Sequence, residues 1–298
     1  MATMITKHFA QTHAADGADA LPDQSPGIWD EFAGPAWQQA PLLVSENWTN
    51  ASGGDWSTAS DWSNGATPTA STNATISLAG TYTVTITTAD TAASLLINDS
   101  KATVADTGTL TLGGALSITA GTFALQSGGS LVGGTISTGS AGVFSAQGGL
   151  LDGATYRGTL SVGTSQSLYV AGGLTLQGAN STGAGHIALA SGALLEVQDT
   201  ETLDNATLTL AGSGATLDGG GSGYYATPAT LTLGSGFTIL QSGSGQNYLT
   251  AGYYYSYGIG YVGDAITNSG TISVTGGTLT ATGNDDNGIF TNAGIIKV

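Results

Sequence analysis

The sequence predicts an all-β chain wound as a parallel β-helix, and three observations predict it. Short runs of strict apolar/polar alternation follow one another, such as TYTVTITT at 81–88, TLTL at 109–112, TFAL at 122–125, TLSV at 159–162 and TLTL at 207–210 and 230–233. Alternation with β-branched residues over so few positions is the mark of strands with one buried face. The octet TNSGTISV at 267–274 returns as TNAGIIKV at 291–298, which is self-similarity at a fixed spacing. Only 8% of the chain is charged while 40% is hydrophobic, with 48 glycines. An interior that takes no charge and corners that need glycine explain that balance.

Residues 1–45 read as a leader, partly disordered. They hold four of the six prolines, and their apolar residues show no period. Residues 46–80 read as a Trp-rich cap over one end of a stack. Trp48, Trp56 and Trp62 stand there among turn signals, Gly53-Gly54, Asn64-Gly65 and Pro68. Large aromatics between turns suit buried anchors, with a sugar-stacking patch of exposed rings as the rival reading.

Residues 81–298 read as the β-helix. Within the last period three short strands fit, at 271–274, 278–281 and 289–291, and 295–298 repeats the first of them one layer on. Ile272, Val274, Leu279, Phe290, Ile296 and Val298 are then expected inside, with Asn268 over Asn292 at a corner and Ile272 over Ile296. Other echoes support repetition: LDGAT at 151–155, LDNAT at 203–207, LDGG at 217–220, and the two TLTL runs at 207 and 230, set apart by nearly the spacing of the octets. A period of about 24 residues gives roughly nine coils. Almost no helix is expected beyond residue 45, because no segment carries a 3.6-residue pattern over a helical length.

Charge excludes whole classes of partner. Four basic residues face 20 acidic ones, a net charge of -16. Nucleic acid binding needs a basic surface that displaces counterions from phosphates, and this chain cannot build one. No stretch approaches the roughly 18 apolar residues of a membrane span, so no membrane insertion is expected. With no cysteine there is no disulfide, thiol nucleophile or thiolate metal site. The N-terminal residues lack the basic-then-apolar pattern of a signal peptide.

The segments GGDWSTASDWSNGATP, LDGATYRGTLSV, GLTLQGANSTGAGHIAL, ETLDNATLTL and DAITNSGTISVTGGTLT, with FTNAGIIKV, resemble repeat regions of large bacterial exported proteins. These are the adhesin-like and autotransporter-passenger-like β-helix proteins. The resemblance covers residues 46–298. It implies a right-handed parallel β-helix, an extracellular or cell-surface location, and a role as a rigid stalk that attaches to surfaces. Neither a β-barrel anchor nor calcium-binding secretion repeats accompany the pattern here.

Catalytic chemistry is sparse. His186 stands alone in GAGHIAL, with no second histidine at metal spacing and no triad motif around it. GGGSGYY at 219–225 lacks the lysine of a phosphate loop and reads as a corner loop. DTETLD brings Asp199, Glu201 and Asp204 close in sequence. Paired carboxylates are the tools of glycosidases, so a polysaccharide-active β-helix enzyme, a lyase or hydrolase, is the alternative to an adhesin. Solvated corner acids are the plainer reading.

Two segments stand out as binding candidates. Eight of the 11 tyrosines are Tyr224, Tyr225, Tyr248, Tyr253, Tyr254, Tyr255, Tyr257 and Tyr261. In an extended AGYYYSYGIGYVGD, Tyr253, Tyr255 and Tyr257 fall on one side. Tyrosine is large yet amphipathic and serves well against glycans or protein partners. Tyr224, Tyr225, Tyr253, Tyr254, Tyr255, Tyr257 and Tyr261 are therefore the candidate binding residues, with a loop whose rings cover the rod's surface and each other as the plainer reading. GNDDNG at 283–288 crowds oxygen ligands; it reads first as a plain turn, with Asn284, Asp285 and Asp286 as the candidates for calcium, and no other cofactor is expected. The chain closes on a strand whose outer edge is unpaired, which predicts self-association through an exposed C-terminal coil.

Overall fold

The computed structural model describes residues 43–220, 228–256, 260–283 and 288–298. The expected leader lies outside them up to residue 42. Strands dominate the described residues, and the one helical turn among them is the 3-10 segment Ala59–Asp61. Short alternating runs cannot bury a helix face, but they bury one face of a strand. They do so here in a sixteen-stranded, a six-stranded and a four-stranded sheet of parallel strands. The exception is the antiparallel hairpin of Tyr253–Ser256 with Gly260–Gly263. Parallel neighbours one coil apart are the signature of a parallel β-helix, the architecture the alternation predicts.

Successive rungs can be followed along one face. Ala89, Thr109, Ser130, Leu150, Tyr169, Glu196, Asp218, Thr250 and Thr282 are consecutive register partners, nine rungs in all. The coil is not uniform, however. Early steps are short, as from Thr135 to Thr155 to Thr175. Later steps, from Thr207 to Thr238 and on to Thr271, are longer by half or more. The expected spacing holds for the last step, Thr271 to Ile295. Inward-facing positions are fixed by pairing, while corners accept insertions at little cost in loop entropy.

The same freedom explains repeats that do not stack. Thr207 pairs with Thr238 in the six-stranded sheet, whereas Thr230 pairs with Ala265 in the four-stranded one. The two TLTL runs therefore lie on different faces. Leu151 and Leu203 of the LDGAT-type echoes also differ in face, pairing with Val170 and Leu233. Their likeness reflects a common local task, a strand end, a corner and a strand start, rather than a shared register.

Inside, like residues form columns. Leu168, Leu195, Leu217 and Leu249 follow one another, each essentially buried. Val84, Val104, Phe123 and Phe144 form another, in which the phenyl rings stack at 6.0 Å and 5°. Each fully buried aliphatic or aromatic side chain contributes about 1.5–3 kcal/mol of transfer free energy.

The Trp-rich residues 46–80 supply the first rungs. Val44–Asn47 pairs with Thr72–Ile76, and Gly54–Asp55 pairs with Tyr82–Ile86. Trp48, Trp56 and Trp62 are at most 2% exposed, and Trp62 takes the other two edge-on at 5.2 and 4.8 Å. Rings this buried are core, so the sugar-stacking reading of these three fails. At the other end Ile272 is buried, and Val274, Leu279 and Phe290 pack partly against the core. Ile296 and Val298 line the same apolar concavity but are exposed, at 49% and 103%. The last strand spans Ile295–Lys297.

Candidate functional site

One corner of the helix differs from every other feature of the later coils. Strands Thr216–Gly219, Gln246–Ala251 and Thr278–Gly283 stack, with Gly219, Ala251 and Gly283 at the same rung position. The strands that follow each corner also stack, with Thr230, Ala265 and Ile289 in line. Earlier coils turn this corner in two or three residues, 153–154, 172–174 and 198–200. The last three coils take 220–229, 252–264 and 284–288. Those three insertions contain all the sequence-predicted binding and calcium residues. Segments scattered between positions 220 and 288 are thus rooted at one corner of three consecutive coils.

Tyr224, Tyr225, Tyr257, Asn284, Asp285 and Asp286 themselves lie outside the described residues. Of the others, Tyr253, Tyr254 and Tyr255 run along one strand of the hairpin, and Tyr261 along its partner. Tyr255 stands opposite Tyr261, and Tyr254 opposite Val262.

The roots of the first two insertions are held by backbone and by one carboxylate. Gly252 N–H donates to Gly219 O, and Asp264 N–H donates to Gly252 O at 3.0 Å. Asp264 is 1% exposed, and its Oδ1 accepts the Ala229 N–H at 2.6 Å. It thereby fastens the end of the first insertion to the end of the second. Burial raises its pKa, and the Ala229 bond opposes the shift. Burial also pushes Asp218 up to about 7, helped by the charges of Glu196 and Asp264 and opposed by the Thr250 hydroxyl. A Cβ on Gly220, which has φ +142°, would collide with the Asp264 carboxyl, so glycine is required there.

Acids fasten the same corner in earlier coils. Asp199 Oδ2 accepts the Gly172 N–H at 2.8 Å, and Glu201 Oε1 accepts the Leu174 N–H at 2.5 Å. At the next corner, Asp204 Oδ1 accepts the N–H groups of Asn205 and Gly236. One oxygen of each of Asp199 and Glu201 thus joins neighbouring coils, while Asp199 Oδ1 and Glu201 Oε2 are buried without a hydrogen-bond partner. Burial raises the Glu201 pKa, the Leu174 N–H opposes this, and Asp199 adds to it. His186 lies in a strand among threonines, 2.8 Å from Thr209 Oγ1 through Nε2.

Sequence reasoning missed Asp218 and Asp264. Both lie beside glycine at a strand boundary, in LDGG and VGDA, but nothing in those tetrads tells a buried acid from a solvated one. Among the described residues no group of three or more His, Cys, Asp or Glu side chains is gathered to hold a metal ion. No described helix is long and apolar enough to cross a membrane. No protein-family model matches the chain, nor does any curated protein or solved structure.

Proposed function

We propose that this chain is a non-enzymatic, adhesin-like β-helix stalk of the cell surface or extracellular space, and that its insertions attach to glycans or partner proteins. The observation that supports the reading is the shared root of the three insertions. A regular stack that turns the same corner in three residues has no structural need for ten or thirteen there. Loops raised on a rigid scaffold are the usual carriers of recognition. The composition of these loops, rich in tyrosine and free of lysine and arginine, suits uncharged glycans or protein surfaces. Stacked coils also transmit force through continuous ladders of backbone hydrogen bonds, as a stalk must.

The test is binding of the purified chain to a glycan array and to immobilised cell-surface extracts. Replacing 253–263 by a two-residue turn, or Tyr253, Tyr254 and Tyr255 by alanine, is expected to abolish binding while the β circular dichroism is unchanged. Undiminished binding by the folded variants, or turnover of a polysaccharide by the parent chain, overturns the proposal.

A further inference from the structure

Three of the 11 tyrosines precede the aromatic insertions: Tyr82, Tyr156 and Tyr169. Tyr82 and Tyr156 are core residues, 5% and 2% exposed. Tyr169 is half-buried and stands on the outer side of its strand, between the buried Leu168 and Val170. It lines a cleft of about 300 Å³ in coils that come before the insertions. The cleft runs over four register-paired strands, Ser130–Gln147, Leu150–Asp152, Ser167–Ala171 and Leu194–Val197. Three strand spacings of about 4.8 Å allow a length of up to roughly 14 Å. That volume over that length is a narrow groove rather than a bowl.

The groove exists because the corner beside it carries no bulky side chain. One wall is the backbone of Gly129 and Gly148. A Cβ on Gly129 would lie 2.2 Å from the carbonyl oxygen of Asp106, and Gly148 has φ +96°. Close stacking of coils and left-handed backbone thus keep this wall bare. Tyr169 and Leu150, partners in register, supply the apolar part of the lining. Ser127 and Ser130 supply hydroxyls, and Gln198 supplies an amide whose Nε2 donates to Glu196 Oε1 at 3.3 Å. An amide carries two N–H groups and a carbonyl oxygen, and this bond occupies one N–H. Among the described residues, no charged side chain lines the groove.

We propose that this groove is a subsite for a neutral, linear oligosaccharide, with Tyr169 as its stacking platform. A sugar ring has an apolar C–H face and a rim of hydroxyls. An amphipathic aromatic ring matches the face, while hydroxyls, an amide and peptide groups match the rim. Few polar groups set around an apolar floor are the usual lining of a small-ligand site, and this volume falls at the lower end of such sites. An acidic or phosphorylated sugar needs a basic partner, and no lysine or arginine lines the groove. A purely apolar ligand would leave the serine hydroxyls and the glutamine amide unpaired. The elongated form favours a chain of rings over a single one. The site does not depend on the adhesive reading of the insertions.

The test is titration of the full chain with cellotriose, maltotriose and tri-N-acetylchitotriose, followed by amide NMR shifts, with trigalacturonate as the charged control. At least one neutral trisaccharide is expected to bind with millimolar or tighter affinity and to move the amides of Gly128, Gly129 and Gly148, while trigalacturonate does not. Tyr169→Ala is expected to weaken binding at least roughly tenfold, and Tyr169→Phe, which keeps the ring, by less than about threefold. Ser130→Leu narrows the groove, leaves the ring unchanged and is expected to weaken binding as well. Circular dichroism checks the fold of each variant. The variant with alanine at 253, 254 and 255 is expected to keep this binding, so failure of the groove and failure of the insertions are told apart. Absence of binding by all three neutral trisaccharides up to about 10 mM overturns the proposal. So does undiminished binding by the folded Tyr169→Ala and Ser130→Leu variants, or binding lost only in the insertion variant.

Discussion

Asn268 lies one coil from Asn292 at the same corner, and its Nδ2 donates to Asn292 Oδ1 at 2.6 Å. Asn268 Oδ1 in turn accepts the Gly270 N–H at 3.1 Å, and Asn292 Nδ2 donates to Gly294 O. Asn268 is 1% exposed. Replacing it by alanine leaves a buried N–H without an acceptor, at a cost of about 1–3 kcal/mol. Asn292 is exposed, and Asn292→Ala is expected to cost under about 1 kcal/mol. Because coils at the end of a stack open independently, hydrogen exchange of residues 265–298 is the measurement. Equal protection in both variants contradicts the extra cost assigned to the buried Gly270 N–H.

The tryptophan cluster makes a finer prediction. Trp62 Nε1–H donates to Trp56 O at 2.7 Å, whereas Trp56 Nε1 has no partner. Trp62→Phe loses a made hydrogen bond, and Trp56→Phe removes an unpaired donor. The two changes delete similar volume, so Trp62→Phe is expected to be the more destabilising by about 1 kcal/mol. Denaturation midpoints followed by circular dichroism decide it. Trp56→Ala, which empties a fully buried site, is expected to cost about 3–5 kcal/mol.

Asn268, Ile272 and their partners were legible because the last coil carries the shortest of the three insertions, 284–288, and its octets repeat in register. Period and register coincide there. Elsewhere register is set by which strands hydrogen-bond, and local similarity misleads, as Thr207 and Thr230 do. The aromatic and acidic loops were visible as composition. Their common root was not, because unequal corner lengths hide the alignment of Gly219, Ala251 and Gly283. Asp106 is another blind spot. An aspartate at the end of an alternating run looks like a turn residue, yet it occupies an inward position between Ile86 and Leu125.

The open C-terminal end is an apolar concavity floored by Ile272, Val274 and Leu279 and rimmed by Ile296 and Val298. The backbone edge beside it is unpaired on its outer side, since Ile295–Lys297 ends the six-stranded sheet. Exposed edges with apolar faces pair with other chains, so the purified chain is expected to self-associate. Light scattering across concentration measures this. Ile296→Lys places a charge on the rim and is expected to reduce association without lowering the stability of inner coils.

Asp106 sets a pH dependence of unusual sign. It is fully buried, its Oδ1 accepts the Gly108 N–H at 3.1 Å, and its Oδ2 has no partner. Burial pushes its pKa up to about 7 from 3.8; the Gly108 bond opposes this and the charge of Asp90 adds to it. Between those values the folded state holds a proton that the unfolded state has lost. Stability therefore falls as pH rises from about 4 to about 7, and levels off above. The contribution is on the order of 2–4 kcal/mol. Glu46 acts oppositely: burial raises its pKa, but bonds from Asn64 and Ser63 outweigh this and lower it. Its contribution is present above its ordinary range and is lost in stronger acid. The melting temperature in EDTA is thus expected to climb as pH is lowered from 8 to about 5. Asp106→Asn, which keeps an acceptor for Gly108 and cannot ionise, is expected to raise the melting temperature at pH 8 and to flatten that slope. An unchanged slope in the variant assigns the dependence to other acids.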